Sequence, residues 1–270
     1  MTTPSGAEPR SGCTVDADGR ITFGLRLPSA GHPQLLLRLR TKKGQPEKAR
    51  HLLDLEPGED GHRSAVLRAG QTLEEGRWDV YLLQEPDGER QRLRPGPADL
   101  RALVDGNGRD WSPPVAVRIP YITKSGHLAV RAWLRPVHAE ADRILVTDRT
   151  MTVTARLHGA SFGAGAVVRM VLRGTDTVRT AEPRTEGDGR GFSFTVDCEE
   201  LAGPAAGGGV WDAFVRPAEE APSTRIGRLL DDVADRKEIF VYPAARIGAS
   251  EIRPYYTVDN DLSVEVTRPG

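Results

Sequence analysis

PYITKSGHLAV occupies residues 120–130, and PYYTVDNDLSV occupies residues 254–264. The two stretches share Pro, Tyr, Thr, Leu and Val at the same relative places, at an offset of 134 residues throughout. One chain seldom needs a catalytic centre twice, whereas a fold module is often repeated. The repetition continues outward from the phrase. GRWDVYL at 76–82 is answered by GVWDAFV at 209–215, with Trp78 and Trp211 offset by 133. Arg92 and Leu93 are answered by Arg225 and Ile226, and QLLLRLR at 34–40 by VVRMVLR at 167–173. HRSAVL at 62–67 resembles GFSFTV at 191–196. A nearly constant offset over so many elements indicates tandem duplication, and a repeat of this kind sets the fold.

Within each copy the elements read as strands. Ile21, Phe23, Leu25 and Leu27 alternate with period two, as do Phe192, Phe194, Val196 and Cys198. Met151, Val153, Ala155 and Leu157 do the same, as do Leu262, Val264 and Val266. Turn formers such as PSAGHP, EPGEDGH, EGDGRG and GPAAGGG separate these runs. Short alternating strands with one polar face predict an all-β chain of two tandem Ig-like antiparallel β-sandwich domains. The expected boundaries are a disordered tail over 1–18, a first sandwich over 19–135, a linker over 136–148 and a second sandwich over 149–270. Only ADLRALVD at 98–105 and RLLDDVADRK at 228–237 read as short helices.

The repeated phrase itself reads as a hairpin. Its middle carries Gly126 in one copy and Asn260 in the other, residues that tolerate the positive φ of tight turns. Tyr121 and Tyr255 are expected to lock the corner through their hydroxyls. Trp78 and Trp211 share strand faces with apolar neighbours and are expected in the core.

The totals exclude several functions. Basic and acidic residues nearly cancel, 37 against 38, so no nucleic-acid surface is expected. Only five of the basic residues are Lys, a sign of genome composition. The N-terminal MTTPSGAEPRSG lacks an apolar signal core, and no apolar run is long enough to span a membrane. Cys13 and Cys198 make neither a disulfide framework nor a metal site, and the reading is two free thiols in a cytoplasmic protein.

No catalytic set emerges. GASFG at 159–163 fits the nucleophile pattern G-x-S-x-G around Ser161, but the next segment is strand-like and none of the six His residues follows Ser161. Asp259, Asn260 and Asp261 lack the alternating spacing of a calcium loop. The His residues form no metal-ligand pair, and the Gly-rich stretches open no helix that would cradle phosphate. Neither a cofactor nor a metal is therefore expected.

RPYYTVDNDLSV at 253–264, with the RWDVYL and VWDAFV strands, resembles the tandem β-sandwich modules at the C-termini of actinobacterial cell-wall glycosyltransferases. Similar segments follow glycerophosphotransferase domains. In domain plan those enzymes resemble the wall teichoic acid glycosyltransferases, whose C-terminal sandwich pair supports oligomerisation. This chain carries no DxD motif in a nucleotide-sugar fold. The resemblance implies an accessory part without a catalytic domain.

The sequence thus predicts a non-catalytic accessory or binding protein of a glycosyltransferase-type pathway. It would act through a protein partner, self-association, or a glycan or wall-polymer ligand. The alternative is a stand-alone transferase-like enzyme with its site between the two sandwiches, with His127 and His138 as first suspects. Duplicated modules share a core, so binding residues are sought where the copies differ. The candidates are Trp111, Trp133 and His127 from the first copy and Tyr242 and Tyr256 from the second, with Trp133 expected near the junction.

Overall fold

A computed structural model of the chain describes residues 8–27, 31–105 and 111–268. The chain divides into two compact units. The first comprises Met1–Arg109, Ala116–Leu134 and Leu230–Ala234; the second comprises Asp110–Val115, Arg135–Leu229 and Asp235–Gly270. The fold is all-β. Helix among the described residues is limited to one 3-10 turn and two short α-helices, α1 (Arg101–Asp105) and α2 (Cys198–Ala202).

The first set of strands is β1 (Arg10–Val15), β2 (Ile21–Arg26), β3 (Gln34–Leu39), β4 (Arg50–Asp54), β5 (Glu56–Pro57) and β6 (His62–Leu67). It continues with β7 (Gly76–Leu83), β8 (Gln91–Arg92), β9 (Arg94–Asp99), β10 (Val115–Ile122) and β11 (Leu128–Arg135). One sheet runs β5-β6-β2-β1-β9 and the other β10-β11-β7-β3-β4, with β8 on β7.

The second set is β12 (His138–Val146), β13 (Thr150–His158), β14 (Val167–Leu172), β15 (Val178–Ala181), β16 (Arg184–Thr185) and β17 (Gly191–Asp197). It ends with β18 (Gly209–Arg216), β19 (Thr224–Gly227), β20 (Ala245–Ile247), β21 (Ser250–Tyr256) and β22 (Leu262–Thr267). These run β16-β17-β13-β12-β19-β18-β22-β21-β20, with β14 on β18 and β15 on β14.

The pairings correspond, with β19 taking the places of both β8 and β9. β1 pairs antiparallel with β2 and parallel with β9; β12 pairs antiparallel with β13 and parallel with β19. β7 lies between β3 and β11, as β18 lies between β14 and β22. The register repeats as well. Trp78 is opposite Leu39 and Val130, and Trp211 is opposite Leu172 and Val264. Tyr81 is opposite Arg92, as Phe214 is opposite Arg225. The main addition is β20, which extends the second copy's sheet beyond β21, whereas β10 ends its own sheet.

The alternating patterns bury the faces they predict. In the second unit Met151, Val153, Phe192 and Phe194 from one layer share a cluster with Val168, Met170, Trp211 and Val264 from the other. In the first unit Ile21, Phe23, Leu35, Leu37, Trp78, Val80 and Val130 are buried. Each core Trp satisfies its indole N–H on a backbone carbonyl, Trp78 on Glu74 at 3.0 Å and Trp211 on Leu201 at 3.1 Å.

Three boundaries differ from the sequence reading. Residues 10–15, assigned to a tail, form β1, because Cys13 and Val15 fill the core beside β2; the rest of that tail over 1–7 lies outside the described residues. The linker over 136–148 contains β12, which is held on both sides by β13 and β19. RLLDDVADRK is not helical, since its amides are drawn to tertiary acceptors: Leu229 N–H to Glu140 and Arg236 N–H to Asn260. A helix also begins where FSFTVDC was read as strand. Asp197 caps α2 by accepting from the Glu199 amide at 2.7 Å.

Candidate binding site

The repeated phrase is the same hairpin twice. The Thr123 amide donates to the His127 carbonyl and the Gly126 amide to the Thr123 carbonyl; Thr257, Asp261 and Asn260 repeat both bonds. Gly126 has φ 74° and Asn260 φ 60°, the left-handed position such a turn requires. The shared Thr is explained by its side chain. Thr123 Oγ1 accepts from the His127 amide, and Thr257 Oγ1 accepts from the Asp259 and Asp261 amides. The expected tyrosine lock is not seen in the first copy: the Tyr121 hydroxyl is shielded from solvent and has no hydrogen-bond partner among the described residues. The backbone and Thr already fix the corner.

The copies diverge just behind this hairpin. In place of Gly126 the second copy has a residue with a side chain. Asn260 Oδ1 accepts from the Arg236 amide at 3.1 Å, and its carbonyl accepts from the Arg228 amide at 3.0 Å. These bonds pin the irregular segment 228–244. The Arg236 side chain is fully buried; its Nε donates to the Arg228 carbonyl at 2.7 Å and its guanidinium lies 5.0 Å from the Phe240 ring centroid. Glu140 Oε2 holds the Leu229 amide at 2.7 Å, and Arg228 reaches the Asp142 carbonyl at 2.9 Å. A side chain at Gly227 would meet the Asn260 carbonyl oxygen at 2.8 Å, so the close approach requires glycine there.

The pinned segment lays Phe240 and Tyr242 edge-on against Tyr256, with centroids 5.9 and 6.1 Å away. Tyr256 is fully buried, and burial first, with Tyr242 second, pushes its phenol far above the ordinary range. The equivalent position in the first copy is Ile122, 63 % exposed. Over this aromatic base lies a cavity of about 290 Å³, lined by Lys237, Tyr242, Arg253, Tyr255 and Glu265 together with Val241. The Lys237 ammonium sits 6.0 Å from the Tyr255 centroid. At the rim Ile239 is 65 % and Val241 75 % exposed.

Among the sequence candidates, Tyr242 belongs to this site. Tyr256 is fully buried against the Phe240 and Tyr242 rings and does not line the cavity. Trp133 is not an exposed anchor: it is 1 % exposed, with the Arg131 guanidinium 4.8 Å from its ring. Trp111 is half-buried at a separate pocket of the second unit. His127 is in the first hairpin, with Nδ1 3.1 Å from Ser125 Oγ; desolvation and then Arg92 and Arg94 lower its pKa. His138 is buried in β12, with Nε2 2.7 Å from Glu140 Oε2. His127 thus lies in a hairpin of the first unit and His138 in the core of the second. Ser161 is exposed in the loop between β13 and β14, where a strand follows instead of the helix a nucleophile elbow needs. Burial raises the thiol pKa of Cys13 to about 12 and of Cys198 to about 11, which makes both unreactive at neutral pH.

The sequence reading missed a repeated charge cluster. Asp79 accepts from Arg40 at 2.6 Å and Arg92 at 3.0 Å; Asp212 accepts from Arg173 at 2.7 Å and pairs with Arg225 at 2.9 Å. All three members recur at an offset of 133. Burial opposes the charge on Asp212, but hydrogen bonds from Arg173, Ser263 and Arg225 outweigh it and bring its pKa to about 2. The Asp after each repeated Trp was the available signal.

No protein-family model and no curated protein matches the chain. Among solved structures, it is similar to the crystal structure of S. aureus TarS, with 17 % identity and a TM-score of 0.31. That match covers 69 % of this chain and 35 % of TarS. A second TarS structure, residues 217–571, matches at 16 % identity and TM-score 0.30, covering 73 % of this chain and 58 % of that one. The chain thus spans less than two thirds of either structure.

Proposed function

We propose that the chain is a non-catalytic accessory module of a glycosyltransferase-type pathway, built from two Ig-like sandwiches, and that it acts by binding. The carrying observation is the segment 228–244, which in the second copy presents exposed Ile239 and Val241 beside a cationic and aromatic cavity. Apolar side chains at this exposure, rimmed by Lys237 and Arg253, suit a protein partner, with a second copy of the chain among the possible partners. The resemblance of PYYTVDNDLSV to tandem glycosyltransferase modules supports the same reading. A glycan is the second reading, favoured by the Tyr242 and Tyr255 rings beside hydrogen-bonding Arg253 and Glu265.

The test combines sedimentation velocity with capture from native lysate on the immobilised full chain, and glycan titration beside them. The double variant Ile239→Asp and Val241→Asp is compared with the control Ile122→Asp in the first unit. The expected result is association or capture that the double variant loses and the control keeps. Equal behaviour of the two variants contradicts a protein contact at this segment. No hydrolase or transferase turnover is expected, and turnover lost on substituting His127 or His138 would overturn the non-catalytic reading.

A further inference from the structure

We propose that the open edge of β4 pairs antiparallel with the same edge of a second copy of this chain, about a two-fold axis at Leu52. β4 (Arg50–Asp54) ends its sheet and, among the described residues, is bonded to β3 alone. The Leu39 amide donates to the Ala49 carbonyl and the Leu55 amide to the Pro33 carbonyl, both at 3.1 Å. Backbone groups alternate in direction along an antiparallel ladder, so His51 and Leu53 turn theirs to β3, while Arg50, Leu52 and Asp54 turn theirs to the open edge. Among the described residues no hydrogen bond reaches the outward amides and carbonyls of these three. Two-fold pairing centred on Leu52 sets it opposite the partner's Leu52 and sets Arg50 opposite the partner's Asp54. Each of these pairs then exchanges both backbone bonds.

The side chains agree with this register. Arg50, Leu52 and Asp54 share the exposed face of the strand, with Leu52 46 % exposed. The axis therefore places an Arg50 against an Asp54 twice, at the cross-strand spacing where opposite charges attract. Asp54 is oriented by Gln34, whose Nε2 donates to its Oδ1 at 2.7 Å. Leu52 lies opposite Leu36 and Leu36 opposite Tyr81, and Leu36 and Tyr81 are buried together with Leu83. Pairing continues this apolar row across the axis. The other edges among the described residues are blunted. β5 and β16 have two residues each and β20 three, β9 carries Pro95 and Pro97, and β10 carries Pro120. β15, the edge at the place of β4 in the second copy, carries Arg179 and no acid.

A five-residue edge is a small interface, so the dimer is reversible and is read by varying concentration. Sedimentation velocity on the full chain, from about 1 to about 100 μM, is expected to show a monomer–dimer equilibrium. Arg50→Glu and Asp54→Lys each bring like charges together twice and should weaken dimerisation about tenfold, with little change in melting temperature because both side chains are exposed. An equimolar mixture of the two variants restores opposite charges at both places and should dimerise as the wild type does. Leu52→Cys should cross-link to its own copy under copper–phenanthroline oxidation, because directly opposed residues lie about 5.5 Å apart at Cα, within disulfide reach. Val66→Cys, exposed on β6 in the unit's other sheet, is the control, and the buried Cys13 and Cys198 do not compete. Ile239→Asp with Val241→Asp should leave this dimer unchanged, which separates its failure from that of a contact at 228–244. The proposal is overturned by a wild type that stays monomeric at about 100 μM, by single charge variants that dimerise as tightly as the wild type, by a mixture that does not pair, or by Leu52→Cys cross-linking no faster than Val66→Cys.

Discussion

Asn260 shows how a single residue can serve both the repeat and its divergence. Its positive φ fills the turn position that Gly126 fills in the first copy, while its side chain reaches the Arg236 amide. Asn260→Gly retains the turn and removes the anchor. We expect a loss of about 1 kcal/mol, the usual net value of one hydrogen bond, with faster proteolysis within 228–244. Gly126→Ala should cost about 1–2 kcal/mol from the left-handed backbone alone, measured by urea unfolding. Asp212 gives a pH signature. Its pKa falls from 3.8 in the unfolded chain to about 2 in the fold, so its stabilising contribution is fully present above about pH 4 and lost as pH drops towards 2. Asp212→Asn should therefore be less stable than the parent at neutral pH, with the gap closing near pH 2. An equal gap at both ends would contradict the assignment.

At the level of elements, the strands carrying Trp78 and Trp211 are the clearest test of equivalence. Both indoles are fully buried, have the same neighbours in register and donate to a backbone carbonyl. Trp78→Ala and Trp211→Ala should each cost about 3–5 kcal/mol in the unit that carries it. Trp133→Ala belongs with them as a stability variant, because Trp133 is buried and cannot anchor an exposed contact. This misreading shows where legibility ends. Period-two alternation made Phe23, Met151, Phe192 and Val264 readable as core, since one buried face suffices to generate the pattern. On β11 both faces are buried, so Arg131 and Trp133 break the rule that polar neighbours mark an exposed face. β1 was hidden by the small polar residues around Cys13, and β12 by a sequence resembling a linker. The segment 228–244 was misread because its local helical pattern is overridden by distant acceptors, Glu140 and Asn260, whose proximity no sequence window displays. The Arg–Asp–Arg clusters were present in the repeat itself, in the Asp that follows each Trp.

For the molecule as a whole, the account makes the copies one module and assigns binding to segment 228–244 of the second copy. Hydrogen exchange on the full chain tests this most directly, comparing the wild type with Asn260→Gly. The account predicts that protection along β1–β11 recurs about 133 residues later, with β7 and β18 among the slowest strands. It further predicts that the Leu229 and Arg236 amides are protected in the wild type, and that Asn260→Gly releases Arg236 and its neighbours while β18, β21 and β22 stay protected. Protection that does not repeat at this offset, or a segment 228–244 that exchanges freely before Asn260 is changed, would contradict it.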